Sequence, residues 1–63
     1  MSIEDKFKAN GLYNYIDAGS YNCAMRKRFF LDAEKYGINI ALNLLEKNGG
    51  KKFWIDKVRK ELS

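Results

Sequence analysis

The sequence predicts an all-α fold, a single domain formed by a small bundle of three to four short helices. Three observations support this. The chain of 63 residues contains no proline. Its five glycines act as punctuation between segments. Apolar residues within those segments recur at helical spacing. A chain of this length forms one domain at most and has a thin core.

The first segment has the features of a helix start. Ser2 is a good N-cap, and Glu4 and Asp5 follow in the first turn, where the helix dipole favours acids. Asn10-Gly11 is typical of a helix end. We therefore expect a short first helix that ends near residue 10.

Residues 12–18 fit two structures. Leu12, Tyr15 and Ile16 have helical spacing, whereas Tyr13, Tyr15 and the β-branched Ile16 also fit a short strand. Helix is the favoured interpretation, and the strand stays open.

The next two segments have the clearest helical pattern. Ser20 is expected to cap a helix that runs to about Tyr36 and stops at Gly37. Its apolar stripe has spacings of four, four, four and three: Tyr21, Met25, Phe29, Ala33 and Tyr36. After Gly37 comes a pattern of spacing i, i+3, i+4, i+7: Ile38, Ala41, Leu42 and Leu45. Both stripes are typical of core-facing helices, and the second is expected to be the more buried.

Asn48-Gly49-Gly50 separates these helices from the last segment. Trp54, Ile55, Val58 and Leu62 predict an amphipathic helix there. A short β wing near residues 50–55 is kept open as an addition to the helical bundle.

Residue types exclude most catalytic chemistry. The chain has no histidine and one cysteine, Cys23. A Ser-His-Asp triad, a Cys-His pair and an intrachain disulfide therefore cannot form, and a four-ligand zinc site is nearly excluded. We expect a protein that is not an enzyme, without metal or cofactor.

Net charge points to acidic partners. The chain carries +4 overall, and the excess of bases lies after Ser20, because residues 1–19 hold three acids and two bases. Nucleic acid is a plausible partner for such a surface. No stretch approaches the roughly 18 apolar residues of a membrane span. With acidic first residues and a lone cysteine, we expect a cytoplasmic protein without membrane contact.

One spacing resembles a known DNA-binding arrangement. Ala33 and Gly37 lie four apart and are followed at once by Ile38, as in the first helix and turn of a helix-turn-helix. With the basic-aromatic stretch at residues 49–56, residues 29–62 resemble the excisionase-type winged helix-turn-helix domains of mobile elements. That family has apolar residues six and nine positions after the turn glycine. Here Leu42 and Leu45 come one position earlier.

The favoured function is a small, basic DNA-binding or regulatory protein of mobile-element type, such as a phage or plasmid accessory factor. Asn39 and Asn43 are candidate base readers, because amide side chains can hydrogen-bond to adenine edges. Five bases are candidate phosphate contacts: Arg26, Lys27, Arg28, Lys51 and Lys52.

A second hypothesis is a small inhibitor or adaptor that docks on a host protein. Aromatic residues dominate the energetics of protein interfaces. The candidate anchors are Tyr13, Tyr15, Phe53 and Trp54. The same aromatics make a homodimer a further alternative, since the core is thin.

Overall fold

The computed structural model describes residues 2–17 and 21–63. These residues form five helices and no strand, so the all-α prediction is confirmed. The helices are α1 (Ile3–Ala9), α2 (Leu12–Ile16), α3 (Cys23–Ala33), α4 (Ile38–Lys47) and α5 (Lys52–Leu62). Within these described residues there is one helix more than the upper bound expected, because Leu12–Ile16 forms a short helix of its own.

The chain starts as its sequence predicts. The Ser2 hydroxyl accepts a hydrogen bond from the Asp5 backbone amide at 3.1 Å, and α1 ends before Asn10. Helix is also the outcome for Leu12–Ile16, whose Leu12 and Tyr15 are buried. A three-residue spacing brings these two side chains to one face of a helix, whereas a strand would place them on opposite faces.

Helix α3 begins later than the sequence suggests. The side chain of Asn22 caps it by accepting from the Met25 amide at 2.9 Å. Ser20, the predicted cap, lies outside the described residues. The helix ends at Ala33 and continues as a turn to Tyr36, so its C-terminal limit is close to the prediction.

The prediction of a β wing near residues 50–55 is wrong. Helix α5 already begins at Lys52, and the amides of Trp54 and Ile55 both donate to the Lys51 carbonyl at 3.1 Å. Trp54, Ile55 and Val58 are buried together. A strand would turn Trp54 and Ile55 to opposite faces, whereas a helix brings all three to the core.

The core lies between all five helices and is largely aromatic at its centre. The Trp54 ring packs edge-on against Phe29 and Tyr21, with ring centroids 5.0 and 5.5 Å away, and is tilted against Tyr15 at 6.1 Å. The remaining buried side chains are Phe7, Leu12, Ala33, Ala41, Leu42, Leu45, Ile55 and Val58. In this small chain, large rings supply much of the apolar burial.

The Gly49-Gly50 turn offers a matched test of the α4–α5 connection. We expect Gly50→Ala to cost about 1–3 kcal/mol, because a Cβ there would lie 2.8 Å from the Leu45 carbonyl oxygen and 3.1 Å from Ile55 Cδ1. Gly49→Ala meets no atom within 4 Å and carries only the strain of a φ of +92°, about 1 kcal/mol. Urea denaturation of both variants measures the difference. Equal losses would contradict the close approach at Gly50.

Candidate nucleic-acid interface

A short connection links helices α3 and α4. They are joined by residues 34–37, and Gly37 has a φ of +93°, a conformation that other residues adopt at a cost. Ala33, at the end of α3, is fully buried. The small side chain at this position leaves room for close packing around the end of α3.

Helix α4 presents one polar face outward. Ala41, Leu42 and Leu45 are buried on its inner side. On the outer side, Asn39, Asn43 and Lys47 follow one another at spacings of four and are all exposed. Both predicted base readers therefore lie on one accessible helix face.

Arg59 of α5 contacts two side chains on the outer side of α4. Its Nη2 donates to Asn43 Oδ1 at 3.0 Å, and its Nη1 lies 2.7 Å from Glu46 Oε2. The guanidinium thus neutralises an acid on the α4 surface and orients the Asn43 amide. The amide oxygen has a second lone pair and the amide nitrogen two donors, so Asn43 can still bind a ligand. Sequence reasoning missed Arg59, which is sixteen residues from Asn43.

Two predicted phosphate contacts lie near this face. Lys52 lines a groove of about 170 Å³ with Glu46 and Arg59, and Asp56 lies in the same groove. Lys51 precedes Lys52 as the exposed N-cap of α5. The N-terminal end of the α5 helix dipole is positive and adds to the potential of these lysines. The first turn of α5 contains no acid that would offset it.

The α3 bases lie elsewhere. Arg26 and Lys27 line a second groove, between α3 and the end of α5, that shares no residue with the first. Arg26 is paired with Glu61 at 2.6 Å, which raises the pKa of its guanidinium, and it lies 4.9 Å over the Phe30 ring. Arg28 is exposed. The structure therefore separates Arg26 and Lys27 from Asn43 and its neighbours.

Lys47 is already paired within the fold. Its Nζ lies 3.0 Å from Glu4 Oε1, and Asn48 donates to the other Glu4 oxygen at 3.1 Å. These hydrogen bonds lower the pKa of Glu4. They also link α1 to the end of α4, so Lys47 contributes little free charge to the outer face.

The aromatic anchors of the alternative hypothesis divide into two pairs. Tyr15 and Trp54 are each only 2% exposed, so their prediction as docking anchors is wrong. Both rings lie in the core because they are on the inward-facing sides of α2 and α5. Tyr13 and Phe53 remain 51% and 47% exposed.

Within residues 2–17 and 21–63, no three or more potential metal ligands lie together. Within the same residues, no helix has the length and apolar character required to cross a bilayer. Cys23 is exposed at the start of α3.

Comparisons with protein-family models, with curated proteins and with solved structures find no significant match to this chain.

Proposed function

We propose that this chain is a non-enzymatic nucleic-acid-binding protein that uses the outer face of α4. The observation that carries the proposal is the pair of exposed amides, Asn39 and Asn43, on one face of the helix that begins after Gly37. A helix can enter the major groove of B-DNA, where amides recognise adenine.

Arg59 favours Asn43 as the better-positioned reader. Base discrimination requires a side chain held in a defined orientation. The bond from Arg59 Nη2 restricts the Asn43 amide before any ligand arrives. Lys51 and Lys52 would contact phosphates beside the helix, since such contacts fix the register of a protein on the duplex.

The narrower proposal is a DNA-binding regulator of mobile-element type. It depends on the resemblance of residues 29–62 to excisionase-type domains. Leu42 and Leu45 are buried, whereas Asn43 and Glu46, at the positions where that family has apolar residues, are exposed. Support for DNA binding therefore comes from the exposed amides and nearby bases more than from the family pattern.

Charge reversal of two lysines tests the phosphate contacts. We expect Lys51→Glu with Lys52→Glu to weaken duplex binding at least about tenfold and to reduce the salt slope by about two, since fewer counterions are released. Fluorescence anisotropy with labelled duplex, single-stranded DNA and RNA between about 50 and 200 mM salt measures both quantities.

The matched control for this pair is Lys6→Glu with Lys35→Glu, which changes net charge equally at two exposed positions outside the α4–α5 groove. It should retain most of the affinity. Equal losses in both double variants would show that only net charge matters.

Asn43 carries the prediction about sequence preference. We expect Asn43→Ala to reduce the ratio of specific to non-specific affinity by about 5- to 150-fold, the range for one bidentate base contact. Asn14→Ala, an exposed asparagine on α2, is the control. A duplex selected from a random pool, compared with a scrambled duplex, provides the ratio. An unchanged ratio in Asn43→Ala would remove Asn43 as a base reader.

Docking on a protein remains the second candidate function. It is favoured by Tyr13 and Phe53, two aromatic rings that stay about half exposed. Capture of partners from lysate with and without nuclease separates the two functions. A complex that survives nuclease and is lost in Tyr13→Ala with Phe53→Ala would favour the adaptor.

A further inference from the structure

The outer surface of α3 carries an unusually exposed leucine. Leu31 is 66% exposed, more than any other large apolar side chain in the described part of the chain. Together with Phe30 and Leu62 it lines an open groove of about 490 Å³ between α3 and the last turn of α5. Leu62 is itself 43% exposed. Adjoining exposed apolar side chains of this kind are stabilised when another protein surface covers them.

Two opposite charges flank this apolar patch. Lys27 and Glu34 are both exposed and line the same groove. They lie seven residues apart, four before and three after Leu31, so all three share one face of the helix. Glu34 keeps helical dihedral angles (φ −55°, ψ −31°) beyond the end of α3, which extends the face to it. Within the described residues, neither charge has an ion-pair partner within 4 Å.

Lys27 and Glu34 are complementary to the same two charges on a second copy of α3 that runs antiparallel to the first. A two-fold axis between residues 30 and 31 places Lys27 opposite the partner's Glu34 and Glu34 opposite the partner's Lys27. The two charges are about 10.5 Å apart along the helix axis, and the antiparallel copy has the same separation. Leu31 meets the partner's Leu31 near the axis. A parallel arrangement would bring like charges together.

We propose that this face of α3, with the end of α5, is the interface of a symmetric homodimer. A two-fold interface uses one patch on both subunits and must be complementary to itself. The patch meets this requirement with an apolar centre and two reciprocal ion pairs. Arg26 and Glu61 at its edge are already paired with each other, so the edge adds no unpaired charge.

This dimer is independent of the nucleic-acid proposal. The α3–α5 groove shares no residue with the α4–α5 groove. Lys27 would form an ion pair across the dimer interface rather than contact a phosphate. Each subunit would retain its own α4, and a two-fold dimer would present two such helices, as half-site recognition requires.

The test is the mass of the protein without nucleic acid. The mass is measured by sedimentation equilibrium at about 150 mM salt. Salt at this concentration screens the repulsion between two chains of charge +4 beyond about 8 Å. We expect the mass to rise from 7.3 kDa towards twice that value as concentration increases to about 1 mM. Leu31→Ser should hold the protein at the mass of one chain, whereas Ile40→Ser, an exposed apolar residue on α4, should dimerise like the wild type.

Charge exchange identifies the antiparallel pairing. Lys27→Glu and Glu34→Lys should each weaken self-association about tenfold, because two attractive pairs become repulsive. An equal mixture of the two variants should form a heterodimer, since every pair across the interface is then opposite in charge. The variant with both changes should dimerise like the wild type.

Far-ultraviolet circular dichroism confirms that each variant is folded. A wild-type protein that stays monomeric to about 1 mM would overturn the proposal. So would a dimer that survives Leu31→Ser, or two charge variants that fail to associate when mixed.

Discussion

Trp54→Ala is expected to destabilise the protein strongly at room temperature. The indole is 2% exposed and packs against the rings of Tyr15, Tyr21 and Phe29. Truncating a buried tryptophan costs about 3–5 kcal/mol. A domain of 63 residues has a total stability of roughly 3–9 kcal/mol. The loss is therefore at least about a third of the total stability and, at the lower end of that range, all of it. Circular dichroism with urea denaturation measures it.

The neighbouring Phe53 is the matched control. Its ring is 47% exposed on the outer side of the same helix turn, so Phe53→Ala should change stability by less than about 1 kcal/mol. The comparison also separates a core residue from a docking residue. If Trp54→Ala stays fully folded with wild-type stability, Trp54 is not a core residue and its role as a docking anchor is open again.

Stability is expected to fall steeply above pH 10 because of Tyr15. Burial, and then the hydrogen bond that Tyr15 donates to Asp32 Oδ2, raise the pKa of this phenol well above its ordinary value of 10.0. Below pH 10 the phenol is neutral in both states, and its contribution to stability is complete. Above pH 10 the unfolded chain loses the proton first, so the free energy of unfolding decreases by about 1.4 kcal/mol per pH unit. The decrease ends when pH passes the raised pKa of the folded protein.

Tyr15→Phe isolates this contribution from other groups that titrate in the same range. Near pH 7 the variant should lose about 1–3 kcal/mol, since the Asp32 carboxylate is left without its donor. Between pH 10 and 12 its stability should decline less steeply than that of the wild type. Tyr13→Phe, at an exposed ring, should follow the wild-type profile. Parallel curves for Tyr15→Phe and the wild type would contradict the linkage.

Tyr21 should add to the same alkaline transition. Burial is the main cause that raises the pKa of its phenol to about 12. The ring packs edge-on against Trp54, so ionisation of Tyr21 in the folded state would place a charge beside the core. This second phenol is the reason for judging Tyr15→Phe by the difference in slope from the wild type.

Much of the fold was predictable because its causes are local. Gly11, Gly37 and Gly49 separate helices at the points where the chain needs a turn. The apolar spacing around Leu42 and Leu45 correctly predicted the inner face of α4. Such signals act between residues up to about one helical turn apart, so the sequence contains them directly.

The candidate site was predictable only in part. The helical period placed Asn39 and Asn43 on the polar side of α4. It did not show that Arg59 holds Asn43, because this contact depends on how α5 packs against α4. The same limit applied to the distribution of bases. The sequence analysis assigned one phosphate-binding role to the bases at residues 26–28 and 51–52. Packing places Arg26 and Lys27 in a different groove from Lys52.

By itself, the sequence determined the helical class, the turns at Gly11, Gly37 and Gly49, and the inner face of α4. Tertiary structure decided which aromatic rings are buried and which remain accessible, since Phe53 and Trp54 are neighbours with opposite exposure. It also decided the ion pairs that join distant segments, such as Glu4 with Lys47 and Arg26 with Glu61. Backbone periodicity is a property of neighbouring residues, whereas these contacts exist only after hydrophobic burial has brought separate helices together.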